Sequence, residues 1–155
     1  MASTSIASDM TGKLITHDER AAFTMMGIKL TPKVTAADTA GAFSLIEQVV
    51  SPGSGSPPHI LHEGHKIIYV VDGSFNILVG NQVVPAGPGD VAILPEGLLH
   101  NFRNVGDVPG KILVCLFPGG HEEFLLALSQ VAQNGPPSKT VMAEVAGRYH
   151  VEMRA

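Results

Sequence analysis

Lys66-Ile-Ile-Tyr-Val-Val71, Ser74-Phe-Asn-Ile-Leu-Val79 and Gln82-Val-Val84 are three short runs rich in β-branched and aromatic residues, parted by the hairpin-turn pairs Asp72-Gly73 and Gly80-Asn81. Consecutive hairpins of this kind build antiparallel sheet. Downstream the series goes on through Asp90-Val-Ala-Ile-Leu94, His100-Asn-Phe-Arg103 and Lys111-Ile-Leu-Val-Cys-Leu-Phe117, with Pro85-Ala-Gly-Pro-Gly89, Pro95-Glu-Gly97 and Asn104-Val-Gly-Asp107 as the turns. Upstream, residues 22–30 and 41–50 read as strands as well, and Pro52-Gly-Ser-Gly-Ser-Pro-Pro58 is a connector leading into His59. Strands at this spacing predict an all-β antiparallel sandwich or barrel. The pattern turns helical only at residues 122–132, where Phe124, Leu125 and Leu128 share a face, and again near residues 141–146. One or two short C-terminal helices should therefore cap one end of the barrel. Residues 1–12 carry no periodicity and read as a flexible arm, leaving residues 13–155 as a single domain.

Composition narrows the function classes. The 155 residues include 14 acidic and 10 basic side chains, and no Lys/Arg cluster supplies the basic stripe that nucleic-acid binding needs. A single cysteine, Cys115, rules out an internal disulfide or a cysteine-based metal site, and its place in an apolar strand predicts a buried thiol. The first residues lack a basic and an apolar region, and no apolar run approaches a membrane span, so a soluble cytoplasmic protein without a membrane partner is expected. Seven histidines and no tryptophan stand out, and four of those histidines fall between residues 59 and 100.

Two stretches have the spacing of paired motifs. The first is Gly53, five residues, His59-Ile-Leu61, four residues, Lys66, six residues, Gly73. Fifteen residues later the second runs Gly89, five residues, Pro95-Glu-Gly97, two residues, His100, three residues, Asn104. In these intervals the chain resembles the cupin superfamily, and more closely the small single-domain cupins similar to the quercetin-dioxygenase-like group. The flanks 39–45, Phe117-Pro-Gly-Gly120 and Gly147-Arg-Tyr-His150 extend the likeness over roughly residues 13–152. The resemblance implies a cupin-type jelly-roll β-barrel of eight or so strands, commonly a homodimer, with a small-molecule pocket inside. It also implies a divalent-metal site formed by two histidines and a glutamate of the first motif and a histidine of the second. Those positions are here His59, Leu61, Lys66 and His100, so the first motif is degenerate.

An imidazole and carboxylate set suits Fe, Mn, Ni or Cu, whereas a lysine at the carboxylate position brings a positive charge to the place of the cation. No bound cofactor is the favoured reading. The alternative is a divalent metal held by His59 and His100 together with His62 or His65, if Gly64 lets the loop turn one of them inward. Strand alternation puts Lys66, Ile68 and Val70 on one face and Tyr69 on the other, so an inward Lys66 is desolvated and its pKa should fall. Such a group can anchor an enolate or carboxylate, or act as a base or amine nucleophile. His59 and His100 are then the acid and base, with Lys66 as the third catalytic residue. His17 and His150 read as surface residues, and His121 as an exposed residue of the first helical turn. The favoured function is non-oxidative chemistry, an isomerase, cyclase or lyase acting through an enolate on an apolar oxygenated substrate. Two alternatives stand beside it: a quercetinase-like dioxygenase with an atypical histidine site, and a non-catalytic small-molecule-binding barrel.

Overall fold

The computed structural model describes residues 10–154, so most of the expected N-terminal arm lies outside the described residues, and 10–12 have no regular structure. Eleven strands follow: β1 (Phe23–Met25), β2 (Ile28–Val34), β3 (Ser44–Val50), β4 (His59–Leu61), β5 (His65–Asp72), β6 (Phe75–Val79), β7 (Gln82–Ala86), β8 (Val91–Leu94), β9 (Leu99–Asn104), β10 (Gly110–Phe117) and β11 (Val151–Met153). Two helices, α1 (His121–Val131) and α2 (Lys139–Arg148), separate the last two strands. The strands form two antiparallel sheets, in the orders β1-β2-β3-β10-β5-β8 and β11-β4-β9-β6-β7. This is an all-β jelly-roll barrel with two short helices. Among the described residues no helix is long and apolar enough to cross a membrane.

Alternation decides what fills the barrel. Along β10, Ile112, Val114 and Leu116 are buried while the residues between them are only partly covered, and along β5 Lys66, Ile68 and Val70 are buried. The inward rows of both sheets meet in one core with Ile46, Phe75, Leu94 and Phe102. Cys115 falls on the outer row of β10 and is half-buried, short of the fully buried thiol the apolar run suggests. The turn asparagine of the second motif, Asn104, is itself buried. Its amide donates to the carbonyls of Val50 and Val108 at 2.9 Å each and accepts from the Gly106 N–H at 2.8 Å, which ties the end of β9 to β3.

Three elements depart from the expected pattern. The apolar run 22–30 is two strands, because Met26 and Gly27 both take positive φ, 49° and 81°, and fold it into a tight hairpin. β11 has no counterpart in the sequence reading, since three residues are too few to show alternation. It pairs with β4 in the register Val151↔Leu61 and Met153↔His59, closing the edge of the smaller sheet. The helices begin and end a residue or more away from their expected bounds. α1 lays Phe124, Leu125 and Leu128 over one end of the barrel, and α2, capped by the Ser138 hydroxyl on the Val141 N–H, adds Val145 and Ala146.

Candidate active site

The pairing of β4 with β9 sets His59 directly opposite His100, and both side chains point into the barrel with ring centroids 4.3 Å apart. His59 Nδ1 lies 2.8 Å from the Pro57 carbonyl oxygen, and His100 Nδ1 lies 2.9 Å from that of Leu98. A carbonyl only accepts, so both Nδ1 atoms carry the proton and both Nε2 atoms present lone pairs inward. Lys66 reaches across from β5 in the facing sheet, and its Nζ donates to His59 Nε2 at 3.1 Å. Among the described residues His100 Nε2 is buried with no hydrogen-bond partner. The three side chains are almost sealed from solvent, with His59, Lys66 and His100 only 6, 4 and 1% exposed.

Burial and mutual repulsion set their charges. Desolvation pulls the Lys66 ammonium from its ordinary 10.5 down to about 7. His100 falls to about 3, through burial first and the Lys66 charge second. His59 is pushed well below the ordinary imidazole range by burial, then by Lys66 and His100. Near neutral pH the cluster therefore carries one positive charge at most, and that charge rides on Lys66.

A small cavity of about 60 Å³ lies beside this pair. Lys66, His59, Gln48 and Ser56 give it a polar side, Met25, Met26, Phe102 and Phe124 an apolar one, and among the described residues no carboxylate lines it. His121 also reaches it. Expected as an exposed residue of the first helical turn, it is instead shielded at the cavity wall, its pKa held well below the usual value by burial, then by Lys66 and His100. The reversal at Gly119 and Gly120 carries the start of α1 back over the barrel mouth, and nothing local in the sequence marks that placement. Gln48 was not singled out either, although it continues the inward row Ser44, Ile46, Val50.

His62 and His65 are not brought to the site. Because Lys66 occupies an inward position of β5, alternation turns His65 outward, where its Nδ1 accepts the Glu96 N–H at 3.1 Å. His62 is exposed, with Nε2 at 2.7 Å from Glu152 Oε1. Gly64 does take a positive φ of 98°, but the turn it permits ties its N–H to Glu96 Oε1 at the surface. Leu61 offers no donor atom, and Lys66 already engages the His59 lone pair that a metal would need. Among the described residues no three His, Cys, Asp or Glu side chains converge as a metal site. The donor set of two imidazoles and an ammonium does not fit the divalent metal that the motif positions imply.

Comparison with known proteins agrees with this architecture. A family model described as "Cupin domain" matches residues 46–116. The uncharacterized protein MJ1618 of Methanocaldococcus jannaschii is 32% identical over 81 residues, 52% of this chain and 65% of that protein. Polyketide synthase CurC of Streptomyces cyaneus is 29% identical over 57% of this chain and 56% of its own length. The match thus spans less than two thirds of either relative. Among solved structures, the polyketide cyclase RemF from Streptomyces resistomycificus superposes with a TM-score of 0.59 at 26% identity, over 69% of this chain and 80% of that one. The jelly-roll topology, both motif spacings and the family-model match agree on a cupin-type domain over residues 46–116.

Proposed function

We propose that this protein is a metal-independent enzyme that moves a proton on an enolisable, largely apolar small molecule, as an isomerase, cyclase or lyase does. One observation carries the reading: the Lys66 amine sits 3.1 Å from a bare imidazole nitrogen inside an apolar cavity free of carboxylates. Burial brings Lys66 to about 7, the value at which a base both captures and releases a proton at neutral pH. The likeness to a polyketide cyclase and a polyketide synthase supports a substrate of that chemical kind.

The roles follow from the electrostatics. His59 Nε2 holds one amine hydrogen, which steers the remaining face of Nζ toward the cavity. The neutral amine takes a proton from the carbon beside a substrate carbonyl, and the electron pair of the broken C–H bond moves onto the carbonyl oxygen as an enolate. The new ammonium neutralises that charge in a site where little water screens it. Return of the proton to another carbon gives an isomer, and attack of the enolate carbon on a second carbonyl of the same molecule closes a ring. His100 and His59 bind protons too weakly near neutrality to be the principal base. His59 positions the amine by accepting its hydrogen bond, and the His100 ring packs against that of His59.

The test is deuterium exchange. Incubated in deuterium oxide with a panel of enolisable aryl ketones and diketones, β-tetralone and acetylacetone among them, the protein should label the carbon beside the carbonyl. Labelling in excess of the uncatalysed rate should vanish in Lys66→Met and persist in the presence of a chelator. Exchange that survives Lys66→Met, or that a chelator abolishes and one divalent metal restores, would overturn the proposal. So would tight binding of the panel with no exchange at all.

A further inference from the structure

The space beside the Lys66 amine is about 60 Å³, room for a molecule of about three heavy atoms. Met26, Ser56, Pro57 and Met153 line it and are only half-buried, so small solutes reach it from outside. Most of the lining is aliphatic, thioether or aromatic, and among the described residues it includes no carboxylate. An uncharged, weakly hydrated molecule enters such a space with little desolvation, whereas an anion must shed its water.

The amine is set up for addition. Its Nζ donates to His59 Nε2 at 3.1 Å, and the Pro57 carbonyl fixes the proton of His59 on Nδ1, so Nε2 is a bare acceptor aligned with an amine hydrogen. A desolvated amine next to a proton acceptor is an activated nucleophile. Carbon dioxide is an electrophile that matches the space: linear, three heavy atoms, without net charge.

We propose that Lys66 is a carbon dioxide acceptor, its Nζ adding reversibly to CO2 to form a carbamate held by His59, a covalent modification that switches the base off. The proposal rests on the buried amine that the proton-transfer reading also uses, and adds the regulation of that site. The Nζ lone pair attacks the carbon, one C–O π pair moves onto oxygen, and the nitrogen passes a proton to His59 Nε2. An N–C bond and an imidazole N–H form, a C–O π bond and an amine N–H break, and nothing is oxidised or reduced. The products are a carbamate anion and an imidazolium in contact, the pairing that buried ions require. The Lys66 charge, which weakens His59 as a base while the side chain is an ammonium, becomes an attraction once the side chain is an anion. The carbamate nitrogen shares its lone pair with the new carboxylate and takes no proton from a substrate. Loss of CO2 restores the amine.

Trapping tests this on the full chain. The protein is equilibrated with 13C-labelled bicarbonate and CO2 at pH 8 with a chelator present, carbamates are fixed as esters with a trialkyloxonium salt, and the label is mapped by peptide mass. At that pH an amine titrating at about 7 is unprotonated about 300 times more often than one at the ordinary 10.5. Lys66 should therefore carry at least about tenfold more label than any of the other five lysines, none of which is buried. His59→Phe, which keeps a ring and removes the acceptor, should lower the Lys66 label by about tenfold or more. Label confined to the N-terminal amine, label spread evenly over the lysines, or undiminished label in His59→Phe would each overturn the proposal. So would a Lys66 label that appears only when a divalent metal replaces the chelator. The wild-type map needs no variant and decides the matter if His59→Phe does not fold. Deuterium labelling of β-tetralone should also slow as CO2 is raised at fixed pH and recover after sparging with argon, and an unchanged rate in a modified protein would overturn the switch. The two readings fail separately: exchange without a Lys66 carbamate leaves enolisation standing, and a Lys66 carbamate without exchange leaves CO2 capture standing.

Discussion

Replacing Lys66 by methionine should make the protein more stable near neutral pH, with a gain that disappears in alkali. In the folded chain the ammonium releases its proton at about 7, whereas in the unfolded chain it holds it to the ordinary 10.5. Between those values the unfolded state binds a proton that the folded state does not, so stability must rise with pH across the window. The slope approaches about 1.4 kcal/mol per pH unit, which accumulates to about 5 kcal/mol between pH 7 and 10.5. At pH 7 the wild type still carries nearly all of that deficit. Methionine fills a similar volume, has no proton to lose and leaves His59 Nε2 without its donor, a loss worth about 1 kcal/mol. The net expectation is a gain of about 3 to 4 kcal/mol at pH 7, shrinking to nothing by pH 10.5. Urea unfolding followed by far-ultraviolet circular dichroism suits this measurement, because the chain has no tryptophan to report by fluorescence. Other groups titrate in the same range, but they are common to both proteins and cancel in the difference. Stability curves that run parallel from pH 7 to 10.5 would refute the placement of Lys66 as a buried, desolvated amine.

The remaining predictions concern the histidines. His100 titrates at about 3 in the folded barrel against 6.5 when free, so acidification through that window should strip stability as the unfolded state takes up a proton. His100→Phe should flatten this acid limb by a few kcal/mol in the same urea assay, and an unchanged limb would contradict a buried neutral imidazole. His62→Ala and His65→Ala should each leave turnover within about twofold and stability within about 1 kcal/mol, since both side chains are engaged at the surface. A large loss of turnover in either variant would reopen the three-histidine site.

How far the site could be read from the chain depended on how local each cause is. His59 and His100 face inward because each belongs to a short strand bounded by turn residues, and period-two alternation carries the rest. Lys66 follows from the same rule, in step with Ile68 and Val70. His62 and His65 stayed open because the answer turns on which residue starts β5, and a shift of one position exchanges inside for outside. His121 was misplaced for a different reason. Its burial comes from where α1 docks, a tertiary fact without local signature. The same holds for Gln48, whose alternation was visible but whose cavity exists only once α1 and β11 have closed around it. β1 and β2 were merged because the Met26-Gly27 turn hides inside an apolar run. The division of labour was also out of reach. Histidine is the usual carrier near neutral pH, and only the mutual burial of His59, Lys66 and His100 moves the titration onto the amine.

Lys66 stands at the position where the first motif ordinarily supplies a carboxylate, and its nitrogen is a chain atom rather than a captured ion. A charge held by a covalent tether does not equilibrate with the surroundings. No chelator extracts it and no rival cation displaces it. What governs its charge as an amine is the proton alone. With a midpoint at about 7, the same atom is a cation on one side of neutrality and a lone-pair base on the other, and the barrel changes electrostatic character with no change in what it contains.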